Sequence, residues 1–161
     1  MTGRGGDSPL PKHPAVYFAK HWPELQKRRQ SPALTTSTLL VVCLCAEWCA
    51  VCRDFKPEYH ALAQQHPEIL FVYLDIEDDE AFIGALELDD FPALAVFRSD
   101  ALIHFGVVKA KRDNIVRLLR KLTTSPSQPL TPPPPLLPLC NAVVGDCLAQ
   151  DDALRLSGLA R

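Results

Sequence analysis

The chain has 161 residues and a mass of 17.8 kDa, room for one domain of ordinary size with a remainder. Hydrophobic residues make up 47% and charged residues 22%, so the chain can bury a core and a wholly disordered protein is excluded. Seventeen bases against nineteen acids leave a net charge of -2, which is not the balance of a polyanion binder and excludes nucleic acid as the main partner.

The longest apolar run, Leu39 to Ala46, has eight residues, whereas a membrane-spanning helix needs about 20. Residues 1–14 lack the apolar stretch and small-residue cleavage site of a secretory leader. The expectation is a soluble cytoplasmic protein with no membrane partner.

Residues 1–13 are rich in Gly and Pro and read as a flexible N-terminus. Ala15, Phe18, Ala19, Trp22 and Leu25 then repeat at helical spacing, and Pro23 makes this either one kinked helix or two short ones. From Leu39 the period changes. Leu39 to Cys45 is continuously apolar, the pattern of a central strand buried on both faces. A helix follows from Cys49 to about Gln65, with Pro57 inside it. Ile69 to Leu74 is the second strand, and a short helix over Glu80 to Leu86 leads to the third, Ala93 to Phe97. Leu102 to Val107 is the fourth, joined through Ser99-Asp100. Ile115, Leu118, Leu119 and Leu122 mark a closing amphipathic helix. The order α-β-α-β-α-β-β-α describes an α/β fold with a central mixed sheet flanked by helices.

Seven of the thirteen residues from Pro126 to Pro138 are proline, which favours extended polyproline II. The division is therefore one domain over 14–122, a Pro-rich linker over 123–138 and a short C-terminal tail over 139–161. At about 3.1 Å per residue such a spacer reaches roughly 40 Å. That length permits Cys140 and Cys147 to return to the domain as an electron relay, against the plainer reading of an incidental tail.

The six cysteines are too few for a disulfide scaffold, and four of them, Cys43, Cys45, Cys49 and Cys52, fall within ten residues. Reactive or metal-binding thiols suit a cytosolic chain better than structural bridges. In Trp48-Cys49-Ala50-Val51-Cys52, Cys49 stands where a buried strand hands over to a helix. Unpaired N–H groups and the helix dipole there stabilise a thiolate, the species that attacks a disulfide. Cys52 lies one turn further in, close enough to displace a mixed disulfide. Zinc normally needs a second such pair, and Cys140 and Cys147 are seven apart beyond the prolines.

The segment Ala46-Glu47-Trp48-Cys49-Ala50-Val51-Cys52 resembles the active-site segment of the thioredoxin family, with Ala50-Val51 in place of the usual Gly-Pro. Pro57, Asp75, Phe91-Pro92-Ala93 and Gly106 match further family positions in order and at family spacing, over roughly residues 39–122. The resemblance implies a thioredoxin-like fold and a cofactor-free thiol–disulfide oxidoreductase of cell redox homeostasis. Cys49 would be the nucleophile, Cys52 the resolving thiol, and the two would form the redox-active disulfide. Trp48, Phe91 and a cis Pro92 would bind substrate, whose backbone would pair with the proline loop like an added strand. Partners would be disulfide-containing proteins and a reductase or small thiol as donor, acting on a monomer without metal. An alternative is a thioredoxin-fold binding module or maturation chaperone whose redox activity is incidental.

Three departures from the family pattern stand out. Cys43 occupies the position of the usual buried aspartate, and Phe71 is read as replacing its lysine partner, so both charges vanish together. Cys43 and Cys45 share a strand face, either as small buried hydrophobes, as thiols able to approach Cys52, or with Cys49 and Cys52 as a four-cysteine metal site. Residues 75–90 carry eight acids and no base; Asp89 and Asp90, beside Phe91-Pro92, read either as a solvated loop or as a preference for basic substrates. His60, His66 and His104 stand at no motif position.

Overall fold

The computed structural model describes residues 14–31, 34, 38–80, 88, 90–124 and 128–144. Strand β1 is Val16–Tyr17, β2 Leu39–Cys45, β3 Leu70–Asp75, β4 Ala93–Arg98 and β5 Ala101–Val107; helix α1 is Trp22–Arg29, α2 Ala50–Gln65, α3 Arg112–Thr124 and α4 Leu137–Val144. The five strands form one mixed sheet in the order β1-β3-β2-β4-β5. β1 and β2 both run parallel to β3, whereas β2–β4 and β4–β5 are antiparallel.

Strand parity sorts the core into two layers, because successive side chains point to opposite faces. On one face Val41, Cys43 and Cys45 of β2 lie with Phe71, Tyr73, Leu94 and Val96, covered by Phe55, Tyr59 and Leu62 of α2 and Ile115 and Leu119 of α3. On the other, Leu40, Val42 and Leu44 lie with Val72, Leu74, Ala95 and Phe97, covered by Trp22 and Leu25 of α1. Cys52, Phe55, Tyr59 and Leu62 recur at three- and four-residue intervals, the stripe that lets α2 lie on the sheet. The Tyr59 hydroxyl is 2.9 Å from the Val72 carbonyl and 3.1 Å from that of Val41, so it pins the helix across β2 and β3 without leaving a buried polar group unpaired.

The N-terminal expectation needs correction. Residues 16–17 form an edge strand beside β3, and of the two helical readings the pair of short helices holds: a 3-10 turn over Ala19–His21 runs into α1 at Trp22, with Pro23 in its first turn, where a missing N–H costs nothing. The kink is absent because the proline stands at a helix start and not inside one. The helix expected over Glu80 to Leu86 lies outside the described residues beyond Glu80.

The packed body also extends past Leu122. The Leu130 N–H donates to the Leu102 carbonyl at 2.7 Å, a 3-10 turn covers Pro134–Leu136, and α4 follows. Leu136, Leu139 and Val143 are fully buried in the α1-side layer. Trp22 Nε1 and Gln26 Nε2 donate to the Ala142 carbonyl, and Arg29 donates to that of Val143. The segment is too short to fold alone, but it docks on an apolar surface beside the eight-residue α1. The prolines thus deliver a helix to a fixed seat. Leu139→Ala is expected to cost about 2–5 kcal/mol, as for any well-packed core leucine, and the denaturant midpoint measures it.

Candidate active site

The four clustered cysteines sit where β2 gives way to α2. The Cys49 N–H donates to the Ala46 carbonyl at 3.0 Å, a tight turn that carries Cys49 to the N-cap of α2. There its sulfur accepts from the Cys52 N–H at 3.4 Å, one of the orphan donors of a helix start. Cys49 is partly exposed and Cys52 fully buried, so an approaching group meets Cys49 first.

Asp75 holds this turn in place. Its carboxylate accepts from the N–H groups of Glu47, at 2.7 Å, and of Glu77 and Asp78, each at 2.8 Å. The Ile76 N–H in turn donates to the Cys45 carbonyl at 2.8 Å. Sequence alone marked Asp75 as a family position without its task; the signal was an acid ending an otherwise apolar strand.

The Phe91–Pro92 peptide bond is cis, the geometry the resemblance implies. Phe91 stands edge-on to Trp48, with ring centroids 5.4 Å apart. Pro92 is buried and its carbonyl accepts from the Val108 N–H at 3.0 Å. Trp48 is 59% exposed, and Val51 and Val107 are about as open. Val107 is the register partner of Ala93, next to Pro92.

Beneath the turn the register corrects one expectation. The residue paired with Cys43 is Tyr73, and Phe71 pairs with Val41. Phe71 and Tyr73 share a face, and periodicity cannot distinguish a register from one shifted by two residues. A tyrosine therefore faces Cys43 across the strand pair, and Phe71, read at the position of the family lysine, lies two residues earlier on the same strand. The thiols of Cys43 and Cys45 are 3.6 Å apart, and Cys45 also interacts with the Cys52 thiol and the Tyr73 hydroxyl. The hydrogen bond with Cys43 and then burial push the Cys45 thiol far up. Burial, then the hydrogen bond with Cys45, keeps Cys52 protonated well beyond the usual thiol range. Burial likewise raises Tyr59 and Tyr73.

The remaining candidates stay apart. Asp90 is exposed and Asp89 lies outside the described residues. His60 is exposed, His66 lies 3.3 Å from Glu68, and burial, then Lys121, pushes the His104 imidazole below its usual range. Among the described residues no group of three or more His, Cys, Asp or Glu is placed to hold a metal ion, and no helix is long and apolar enough to cross a membrane. Cys140, in α4, packs with the opposite layer from Cys52, which counts against the relay alternative for that thiol; Cys147 lies outside the described residues.

Residues 24–121 match the family model "Thioredoxin". The chain belongs to the thioredoxin family. It is 30% identical to thioredoxin H1 of Arabidopsis thaliana over 108 residues, 66% of this chain and 90% of that protein. It is 28% identical to a thioredoxin H-type of Picea mariana over 67% of this chain and 86% of the relative. Among solved structures, a poplar thioredoxin h superposes with a TM-score of 0.55 at 16% identity, covering 69% of this chain and 98% of that one. The shared thioredoxin fold has the mixed five-stranded sheet described above.

Two outcomes follow from the buried face. Cys43→Asp should cost about 3–5 kcal/mol, the penalty of an uncompensated buried charge. Adding Tyr73→Lys should recover part of it and adding Phe71→Lys should not, read from denaturant midpoints in a double-mutant cycle. Alkali should also destabilise the fold. Above pH about 8.5 thiols of the unfolded chain ionise, while Cys45 and Cys52 in the native state keep their protons. The unfolded state then binds fewer protons, so stability falls as pH rises. Urea unfolding compared at pH 7 and pH 9.5 measures the decline.

Proposed function

We propose that this thioredoxin-family chain is a thiol–disulfide oxidoreductase acting on protein disulfides. The observation that carries the reading is the pairing of a partly exposed Cys49 at a helix N-cap with a buried Cys52 whose N–H reaches the Cys49 sulfur. Cys49 attacks the substrate disulfide, forming a mixed disulfide and releasing one substrate thiolate. Cys52 then attacks the Cys49 sulfur, so the second substrate thiolate leaves and the protein is left with a Cys49–Cys52 disulfide. A reductase or small thiol returns the two electrons.

Trp48, Phe91 and Pro92 form the substrate surface, extended by the exposed Val51 of the motif. Proline has no N–H and the Pro92 carbonyl is already engaged by Val108, so backbone pairing with an extended substrate falls to Phe91. The surface is apolar and mostly preformed, which suits an unfolded or loop segment of a protein.

The raised Cys52 thiol makes resolution the pH-sensitive step. With its proton retained at neutral pH and no acid at position 43 to accept it, attack by Cys52 accelerates as pH rises through and beyond the ordinary thiol range. Insulin-disulfide reduction tests the reading. Cys49→Ala should abolish turnover, Cys52→Ala should accumulate mixed disulfides through Cys49, and wild-type turnover should still climb between pH 8 and 9.5. Equal turnover by wild type and Cys49→Ala would instead favour a binding module using the same groove.

A further inference from the structure

Cys43 and Cys45 take no part in the exchange just described. Both project from β2 onto the face that receives Cys52, and all three are fully buried in one layer. The 3.6 Å between the Cys43 and Cys45 sulfurs does not make them a disulfide pair. Positions two apart in a strand are separated by roughly 6.6 Å, and a disulfide needs Cβ atoms about 3.5–4.5 Å apart. They cannot join while β2 remains a strand.

Cys45 and Cys52 are placed differently. Cys45 is the last residue of β2 and Cys52 lies in the first turn of α2, so their side chains approach from two elements packed face to face. Cys45 and Cys52 lie fully buried in the same layer, and the Cys52 N–H reaches the sulfur of Cys49 at the helix start. The sulfur that the mechanism oxidises therefore has two sulfur neighbours, one at the surface and one in the core.

We propose that Cys45 is a second disulfide partner of Cys52, so that the oxidised site isomerises from Cys49–Cys52 to Cys45–Cys52. The inference rests on the redox reading above for the origin of the first disulfide. Cys45 gives up its proton and its sulfur attacks the Cys52 sulfur. The Cys45–Cys52 bond forms as the Cys49–Cys52 bond breaks, and Cys49 leaves as a thiolate that takes up a proton. One disulfide and one thiol stand on each side, and no electrons enter or leave. The oxidising equivalent then sits in the core, out of reach of a folded reductant, while Cys49 is a free surface thiol with no resolving partner. Because Cys45 holds its proton tightly, isomerisation is slow at neutral pH and quickens in alkali.

The test uses the full chain carrying Cys49→Ser, reduced and then treated with diamide, which takes two electrons and two protons from a dithiol. After acid quenching and capping of free thiols, cleavage at Glu47 separates the peptide holding Cys43 and Cys45 from that holding Cys52. The two peptides should stay joined by a disulfide. The link should persist when Cys43→Val is added and vanish when Cys45→Val is added. Peptides that separate in Cys49→Ser, or a link that survives Cys45→Val, overturn the proposal.

A second measurement needs no substitution in the core. Oxidised wild type incubated at pH 9 should yield a fraction alkylated at Cys49 with its two peptides still linked, and the absence of that species overturns the proposal. Insulin reduction by wild type is scored separately. Its failure with the link intact removes the catalytic reading alone; its success without the link removes only the second partner.

Discussion

The Asp75 carboxylate is the constraint on which the rest of the site depends. It gathers the N–H groups of Glu47, Glu77 and Asp78 onto its two oxygens and so ties together the loops that leave β2 and β3. Charge-assisted hydrogen bonds of this kind are about twice as strong as neutral ones. The bond from Ile76 to the Cys45 carbonyl closes the same junction from the other side. With both loop starts fixed, the turn from Ala46 to Cys49 has little freedom, and the helix begins where Cys49 caps it. The position of the exposed sulfur is thus set by a carboxylate on the neighbouring strand, at the register position of Cys45.

The sheet also separates tasks by parity. Alternate residues of β2 put Cys43 and Cys45 on the layer that receives Cys52, Tyr59 and Tyr73, and Leu40, Val42 and Leu44 on the layer that receives α1 and α4. The clustered thiols collect on one side, and the other is built mostly from aliphatic side chains around Tyr17 and Trp22. Polar groups in the first layer are tolerated because they meet partners: the Tyr59 hydroxyl reaches two carbonyls, and the thiols reach one another.

Much of this was legible in the sequence wherever the signal was local. The run from Leu39 to Cys45 coincides with β2 residue for residue, because a strand covered on both faces must be apolar throughout. The dithiol, Pro57 and the Phe91-Pro92 pair were equally plain, each being a short pattern with a mechanical reason. What stayed hidden depended on partners distant in the chain. A two-residue strand such as Val16–Tyr17 has no period to detect. The pairing of Cys43 with Tyr73 instead of Phe71 turns on a shift by two, which leaves every side chain on its expected face. Helix α4 looked like a tail because its eight residues are apolar without a marked stripe. Only the surface it lands on explains them.

That landing bears on the order in which the molecule can be made. Trp22 and Ala142 are 120 positions apart, yet the indole of one bonds to the carbonyl of the other. A ribosome delivers residues N-terminus first at about 5–20 per second, so α1 waits several seconds for the helix that completes its layer. During that interval the apolar side of β2, β3 and β4 beside Trp22 has no cover from Leu136, Leu139 and Val143. Contacts of such long range slow folding, because the chain between them must be closed before they contribute. The dithiol layer is complete once α3 has emerged, well before α4. The reactive face can therefore consolidate while the opposite face is still open, and a nascent chain halted between the two helices would present hydrocarbon to whatever chaperone meets it.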